Sequence, residues 1–396
     1  MRQAILALLA FVCAATLPVA ATAQDAIVIK TAILTVKHKR EKPISRLDLP
    51  PRDIAVAGAR QATLDNNSTG KFLNQTYELV EETARPDKLT AKLDELIADG
   101  VQYVVAVGTA DDILTIADHV AGKDVLVLNA SAPDGRLRGE DCRPNVLHVA
   151  PSRQIIADGL AQYLMWKKWS DWVLIHGSHP EDRLKADAYR RAAKKFGAEI
   201  VEERIFEDTG GARRSDSGHV LVQKQIPVFT QRAEDHDVTV AADEAGVFAV
   251  YLPYRTWDAR PVAGDAGLTA GMWHAGHESW GATQLQRRFE RKQNRQMRDA
   301  DYLAWLALRV VGEGVTRAEE KTFAAVRDYI LSDAFEVAAF KGEPLSFRPW
   351  NNQLRHGVIL GDAKLVVTVS PQEEYLHQRT RLDTLGADEP ENTCTF

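Results

Sequence analysis

The sequence predicts an α/β protein with two lobes, each built on a doubly wound parallel sheet. Three observations lead to this prediction. The first residues have the pattern of a removable leader, and roughly 370 of the 396 residues remain after it, which is enough for two domains of about 150 residues or more. Apolar strands then alternate with amphipathic helices, and this alternation starts a second time near Asn145.

A secretory signal peptide is predicted over residues 1–23. A single positive charge precedes an almost purely apolar run, and the small-x-small pattern Ala21-Thr22-Ala23 follows it. The run is shorter than the roughly 20 residues that span a bilayer. Cys13 lacks the preceding residues of a lipid-attachment site, so we expect a freely soluble mature chain that begins at Gln24.

Composition and charge exclude one class of partner. The chain is 45% apolar and 26% charged, which is typical of a globular protein with a substantial core. Its formal charge is −6, and acidic and basic residues are interspersed without a basic tail or tract. We therefore expect no nucleic-acid partner. We also expect a monomer.

Two cysteines remain once the leader is removed, Cys142 and Cys394. An oxidising compartment allows them to form a disulfide, and the alternative is two free thiols. If the disulfide forms, it ties the C-terminal tail to the end of the first lobe.

The first lobe contains four predicted strands separated by three helices. A long polar loop, 37–51, follows the first strand. Strands that alternate with helices of this length imply parallel β-α-β units whose sheet is covered on both faces. The predicted strands are 27–36, 77–82, 103–107 and 125–128, and the predicted helices are 53–67, 87–99 and 111–121.

The second lobe repeats this pattern from residue 146 onward. Its predicted strands are 146–149, 172–176, 200–206 and 238–242, and its predicted helices are 152–168, 180–196 and 215–225. Residues 244–258 are rich in aromatic side chains and fit no regular element. Further on, helical spacing returns over 281–315 and 322–332, and 365–369 is a strand.

The sequence contains no motif of an enzyme. A nucleophile elbow, a phosphate-binding loop and a dinucleotide fingerprint are all missing. The two His-x-x-His pairs, at 176–179 and 274–277, have no third metal ligand near them. We interpret Asp111-Asp112 as acids in the first turn of a helix, where negative charge is favourable. The sequence thus predicts neither catalysis nor a bound metal.

Specific segments resemble a known family. Residues 260–268 look like the segment by which branched-chain amino acid receptors return to their first lobe. The segments 251–257, 280–286, 345–350, 376–379 and 382–386 resemble one subfamily of type I periplasmic solute-binding proteins, whose genes accompany pyrroloquinoline-quinone-dependent alcohol dehydrogenases. The resemblance covers essentially the mature chain.

This resemblance implies a periplasmic component of an ABC transporter with a ligand cleft between its lobes. The N-terminal lobe is then formed by 24–143 and 272–340, and the C-terminal lobe, with the tail, by 144–271 and 341–396. A permease is the implied partner, and a quinoprotein dehydrogenase is a further candidate. No cofactor is required, and pyrroloquinoline quinone is the sharpest candidate for a small polar or anionic ligand.

Two alternatives remain open at this point. One is a receptor for an amino acid or short organic acid, which belongs to the same class of protein. The other is a partner or sensor of a periplasmic dehydrogenase system that transports nothing.

Candidate ligand residues of the first lobe follow its strands, because ligands of doubly wound sheets collect at the carboxyl ends of strands. In amino acid receptors of this superfamily, two hydroxyl residues after the third strand bind the ligand carboxylate. Here that segment is Gly108-Thr109-Ala110-Asp111-Asp112, whose acids disfavour a carboxylate ligand. The first-lobe candidates are Lys37, His38, Arg40, Thr109, Asp111, Asn129 and Ser131.

Four candidates come from the second lobe and the return segment. His176 ends a strand, where a neutral imidazole can bind a ligand. Arg255, Trp257 and Trp273 lie in or near the aromatic region, and tryptophan offers a large contact area at low rotamer cost. The alternatives are a solvated basic loop for 37–40 and core packing for each tryptophan.

Overall fold

The structure is a computed structural model that describes residues 27–39, 43–210 and 218–396. The predicted signal peptide and Arg40 lie outside these residues. None of the described helices is both long enough and apolar enough to cross a membrane.

The first sheet consists of five parallel strands in the order β2-β1-β3-β4-β5. All five residues of β3 are buried, as expected for a parallel strand covered on both faces. Its strands are β1 Ile27–Val36, β2 Gln75–Ala84, β3 Tyr103–Val107, β4 Leu126–Asn129 and β5 Val146–His148. The helices between them are α1 Val56–Gly70, α2 Leu89–Ala98 and α3 Ala110–His119.

The assignment of 146–149 to the second lobe is wrong. Strand β5 pairs in parallel with β4, with Val146 opposite Val127, and so forms the edge of the first sheet. Periodicity identifies a three-residue apolar strand but carries no information about which sheet edge it joins. The first lobe therefore extends through His148.

The second sheet has seven strands in the order β12-β11-β10-β9-β8-β6-β7. Alternate residues of β6 supply two cores, with Trp172 and Leu174 on one face and Val173 and Ile175 on the other. The elements before the chain returns are α4 Arg153–Trp166, β6 Asp171–Gly177, α5 Pro180–Phe196, β7 Glu199–Phe206, α6 Gly218–Phe229, β8 Val238–Ala242, α7 Leu252–Arg255, β9 Val262–Gly264 and β10 Leu268–Gly271.

After β10 the chain returns to the first lobe and adds three helices. Their apolar side chains share one core with β1, β3 and α1. These helices are α8 Ala282–Gln293, α9 Asp299–Arg317 and α10 Phe323–Ile330. The last two strands, β11 Val358–Gly361 and β12 Val366–Ser370, then complete the second sheet with antiparallel pairing.

Three passages of the chain connect the lobes: between β5 and α4, after β10, and before β11. The prediction that the second lobe resumes at residue 341 is wrong, because Leu345, Phe347 and Leu354 still pack in the first-lobe core. This stretch has no periodicity that could assign it to a lobe. The first and third passages run side by side, with His356 Nε2 2.7 Å from the carbonyl oxygen of Val149.

The tail after β12 folds back over the second lobe, and the predicted disulfide is present. Cys142 and Cys394 are joined, with their Cα atoms 5.7 Å apart. The tail therefore connects to the loop between β4 and β5 in the first lobe.

Candidate functional site

A crevice with a volume of about 1550 Å³ opens between the lobes. One wall is the loop after β1, including Lys39 and Ile44. The other wall consists of loops that follow β6, β8 and β9, which contribute His179, Asp243 and Asp265. The crevice thus lies at the carboxyl ends of parallel strands, where doubly wound sheets bind ligands.

Two aspartates form the floor of the second-lobe wall. Asp243 accepts hydrogen bonds from the backbone N–H groups of Val247, Phe248 and Ala249 at 2.8, 2.7 and 2.6 Å. Burial nevertheless raises the pKa of Asp243 to about 6. Asp265 accepts a hydrogen bond from the backbone N–H of Asp243 and forms an ion pair with Lys185, so its charge is balanced.

The start of α5 contributes His179 and Glu181 to the same wall, with Asp182 buried behind them. Asp182 is buried and accepts a hydrogen bond from the backbone N–H of Ala245 at 2.9 Å, and burial raises its pKa. His179 Nε2 lies 2.9 Å from Asp208 Oδ2, and this contact raises the pKa of the imidazole. Glu181 lines the crevice and has no ion-pair partner among the described residues.

Arg153 joins the two lobes beside the crevice. It is the first residue of α4, and its guanidinium donates two hydrogen bonds of 2.7 Å to Glu244 after β8. The same group lies 3.4 Å from Asp134, in the loop after β4. A bidentate pair of this kind fixes geometry as well as charge. Arg153 therefore links the loop after β8 in the second lobe to the loop after β4 in the first lobe.

The structure brings His38 and Thr109 together, but around a carboxylate of the protein. Thr109 begins α3, and Asp112 Oδ2 accepts hydrogen bonds from its backbone N–H at 2.7 Å and from its hydroxyl at 2.8 Å. His38 Nε2 lies 2.6 Å from the same oxygen. The interpretation of Asp112 as a first-turn acid is confirmed. Asp111, 83% exposed, forms an ion pair with Arg136 instead.

Asn129 and Ser131 hold the turn after β4 rather than face the crevice. Ser131 Oγ accepts a hydrogen bond from the backbone N–H of Gly108 and donates one to the carbonyl oxygen of the same residue, both at 2.8 Å. Asn129 is fully buried and accepts hydrogen bonds from the N–H groups of Ser131 and Ala132. Their polar atoms are thus satisfied within the first lobe. Placing either one in the ligand site is wrong.

The prediction that His176 binds ligand is also wrong. Its side chain is on the face of β6 that carries Trp172 and Leu174, and its Nε2 lies 3.1 Å from Glu203 on β7. Only 3% of the residue is exposed. The two-residue period of a strand turns this side chain away from the crevice.

Trp273 packs in the first-lobe core. Its ring stacks on Tyr302 with centroids 5.0 Å apart, and its Nε1 donates a hydrogen bond to Gln286 at 2.8 Å. The core alternative is therefore correct for this tryptophan.

Residues 252–255 form the short helix α7, and only part of the surrounding stretch reaches the crevice. Tyr254, 88% exposed, lines it. Arg255 is exposed but does not line it. Trp257 lies near the amino end of β8, where its backbone N–H donates to Thr230 Oγ1 at 2.8 Å. Trp257 therefore lies outside the crevice.

In the loop after β1, Lys39 rather than Lys37 reaches the crevice. Lys37 is exposed, and its backbone N–H donates to the carbonyl oxygen of Ala84. The sequence reasoning missed the second-lobe residues Glu181, Asp243, Glu244 and Asp265. The sequence indicates two of these residues, because Asp243 and Glu244 directly follow the apolar run of β8, at the carboxyl end of a strand.

Both histidines of the second His-x-x-His pair, at 274–277, contact backbone oxygens. His274 Nε2 and His277 Nε2 each lie 2.9 Å from a carbonyl oxygen, of Asp362 and Phe340 respectively. No cluster of three or more potential metal ligands is found in residues 27–39, 43–210 and 218–396.

Comparisons with known proteins agree with this geometry. Residues 54–212 match the model of a family described as periplasmic binding protein. A Leu/Ile/Val-binding protein of Rhizobium johnstonii is 24% identical over 238 residues, which are 57% of this chain and 60% of that protein. The match thus spans about three fifths of that relative.

Solved structures match over almost the whole chain. An ABC transporter substrate-binding protein from Sphaerobacter thermophilus has a TM-score of 0.67 at 17% identity and covers 87% of this chain and 98% of its own. A solute-binding protein from Rhodopseudomonas palustris in complex with benzoate has a TM-score of 0.64 at 13% identity, covering 93% and 100%.

At these identities the solved structures establish the fold, and the family model adds a match in sequence. Residues 54–212 are therefore similar in sequence to the periplasmic binding protein family, and the chain has the two-lobed α/β fold of the solute-binding proteins that it matches.

Proposed function

We propose that this chain is the periplasmic substrate-binding protein of an ABC transporter and that it captures a small polar solute between its lobes. The observation that carries the proposal is the crevice, whose two walls come from different lobes at the carboxyl ends of strands. Ligand binding at such a place favours the closed arrangement of the lobes, because both walls then contact the ligand. A membrane permease is the partner that this function requires.

The surroundings of Thr109 argue against a ligand that binds there through a free carboxylate. The donors of Thr109 already serve the carboxylate of Asp112. A second carboxylate about 4 Å away is repelled by about 4 kcal/mol at the effective dielectric constant typical of a protein surface. We therefore favour a neutral or cationic polar solute over an amino acid bound in this way.

Pyrroloquinoline quinone remains a candidate that rests on the family resemblance. Lys39 in the crevice supports it, since the quinone carries several carboxylates. The acids of the second-lobe wall, including Glu181, oppose it. Calorimetry with the purified protein and the quinone at micromolar concentration tests this candidate directly. The absence of a heat of binding would rule the quinone out as the ligand.

A thermal-shift screen of the full chain with amines, polyols, amino acids, aromatic acids and the quinone identifies the ligand class. A cognate ligand at a hundredfold excess over its Kd adds about 2.7 kcal/mol to the free energy of unfolding. If members of every class leave the melting temperature unchanged, the receptor proposal fails.

A matched pair of variants then tests where the ligand binds. Tyr254→Ala removes an exposed ring from the crevice, and we expect the Kd of the compound found by the screen to rise about tenfold, or ~1.4 kcal/mol. Trp257→Ala, three residues away and outside the crevice, should leave the Kd unchanged. A larger effect of Trp257→Ala than of Tyr254→Ala would contradict the placement.

A further inference from the structure

The tail is fixed to the second lobe at several points. Leu385 is buried in the second-lobe core, and the backbone N–H of Gly386 donates to Asp158 Oδ2 on α4 at 2.8 Å. Further along, Arg191 on α5 donates to both carboxylate oxygens of Glu391, at 2.9 and 2.7 Å. Residues 385–391 are therefore attached to the second lobe, and Arg348 in the third passage also donates to the carbonyl oxygens of Leu385 and Ala387.

The end of the tail is fixed to the first lobe instead. Cys394 is bonded to Cys142, whose loop lies against α3. Next to it, Arg143 Nε donates to Asp118 Oδ1 on α3 at 2.6 Å. Because α3 packs on the first sheet, Cys142 moves with the first lobe.

The distance between the two attachments is short. Glu391 and Cys394 are three residues apart, and a fully extended chain spans about 3.5 Å per residue, so this segment reaches at most ~10 Å. If the Glu391 contact is lost, the next attachment is Gly386, eight residues before Cys394, and the reach grows to ~28 Å. The ion pair at Glu391 therefore determines the maximum length of the connection between the two attachments.

The tail runs beside the passages that connect the lobes. A cavity of about 170 Å³ has walls from the Cys142 loop at Gly139, the first passage at Ser152, the third passage at Gln353 and the tail at Thr393. The short segment thus bridges the lobes next to the passages about which they would rotate.

We propose that residues 385–394, with the Cys142–Cys394 disulfide, form a strap that limits the relative motion of the lobes. The three backbone passages permit rotation, as in other proteins that close around ligands. A fourth, covalent connection of ~10 Å reach removes arrangements in which the two attachments are farther apart. This inference does not depend on the identity of a ligand.

Pulsed electron paramagnetic resonance on the ligand-free full chain tests the strap. Nitroxide labels are attached through a keto amino acid at the exposed positions Leu73, in the first lobe, and Leu184, in the second, so that both cysteines stay native. The oxidised chain is compared with Cys142→Ser/Cys394→Ser and with Glu391→Lys, which repels Arg191 but keeps the disulfide.

Both changes should broaden the distance distribution. In Glu391→Lys the maximum reach between the two attachments grows by ~18 Å, so the label distribution should extend to longer distances than in the wild type. Glu389→Lys is the matched control, because it makes the same change of charge two residues away at a group that pairs with Arg379 inside the tail. Its distribution should equal that of the wild type.

One result would overturn the proposal. If the distributions of the double cysteine variant and of Glu391→Lys both match the wild type, the disulfide only fixes the C-terminus, even where the melting temperature falls. Glu391→Lys keeps the test decisive if the double cysteine variant fails to fold. The labels report lobe motion without ligand, so this result is independent of the screen for the transported solute.

Discussion

Asp383→Asn is expected to lower the free energy of unfolding by about 3–5 kcal/mol. The Asp383 carboxylate is completely buried and accepts hydrogen bonds from Arg348 Nε and Arg355 Nε, both at 2.9 Å. An amide of the same shape leaves two guanidinium groups in the interior without a compensating charge. Removing one member of a buried ionic network costs far more than removing an exposed pair.

Urea unfolding of the full chain measures this effect. Asp235→Asn is the control, since the Asp235 side chain is 92% exposed and pairs with Arg260 on the surface. We expect that control to change the free energy of unfolding by about 0.5 kcal/mol or less. A loss below about 1 kcal/mol for Asp383→Asn would show that the two arginines find other partners or water.

Acidification is expected to destabilise the protein through two histidines at the passages between lobes. His148 and His356 are buried, and burial lowers the pKa of each imidazole well below its ordinary value. The cations Arg138 and Lys341 lower these values further. In the unfolded chain both rings bind a proton near pH 6.5, and in the folded chain they do not.

The sign follows from this difference in bound protons. Stability from the two neutral rings is fully present above about pH 6.5 and is lost as the pH falls, by about 1.4 kcal/mol per pH unit for each ring. Asp243 acts in the opposite direction, because burial raises its pKa to about 6 and the folded chain then binds the extra proton. For these three groups taken together, the slope below pH 6 is therefore about one proton rather than two.

A comparison of variants isolates one histidine from these opposing groups. His356→Gln keeps a donor for the carbonyl oxygen of Val149 and removes the titrating ring, so the acid slope should decrease by about 1.4 kcal/mol per pH unit. His274→Gln, at a half-buried rather than a buried position, should leave the slope unchanged. The measurement is the free energy of unfolding of both variants at pH 7.5, 6.5 and 5.5. Equal slopes for the two variants would show that His356 does not contribute to the acid destabilisation.

Much of the fold could be predicted from local pattern. The bounds of β3, α5 and β8 are correct to the residue, because apolar runs or a helix between Pro180 and Gly197 leave little freedom. Strand β5 was assigned to the wrong lobe since pairing between sheet edges is a non-local property. Strands β9 and β10 are short and surrounded by turns, and neither was recognised.

A crevice lies where the sequence predicts one, but most of the predicted ligand residues do not line it. The carboxyl-end rule predicts the crevice, and Lys39 and Tyr254 lie in the regions it named. His176 failed because a side chain at a strand end still follows the two-residue alternation of the strand. The prediction for Asn129 is wrong because its buried amide is already hydrogen-bonded to the backbone of the turn after β4.

Segments that carried the family resemblance turn out to contact each other. Arg348, in 345–350, pairs with Asp383, in 382–386. These side chains hold the tail against the third passage rather than face the crevice. These two segments thus form an architectural element outside the crevice.

The order of strands in the second sheet has a consequence for dividing the gene. Strand β11 pairs with β10, although the whole helical return, α8 to α10, lies between them in the chain. A fragment that stops at Gly271 lacks the three helices α8 to α10 of the first lobe and the strands β11 and β12 of the second lobe. Neither lobe is encoded by one contiguous segment of the gene. Two co-expressed fragments would therefore have to associate before either lobe could fold.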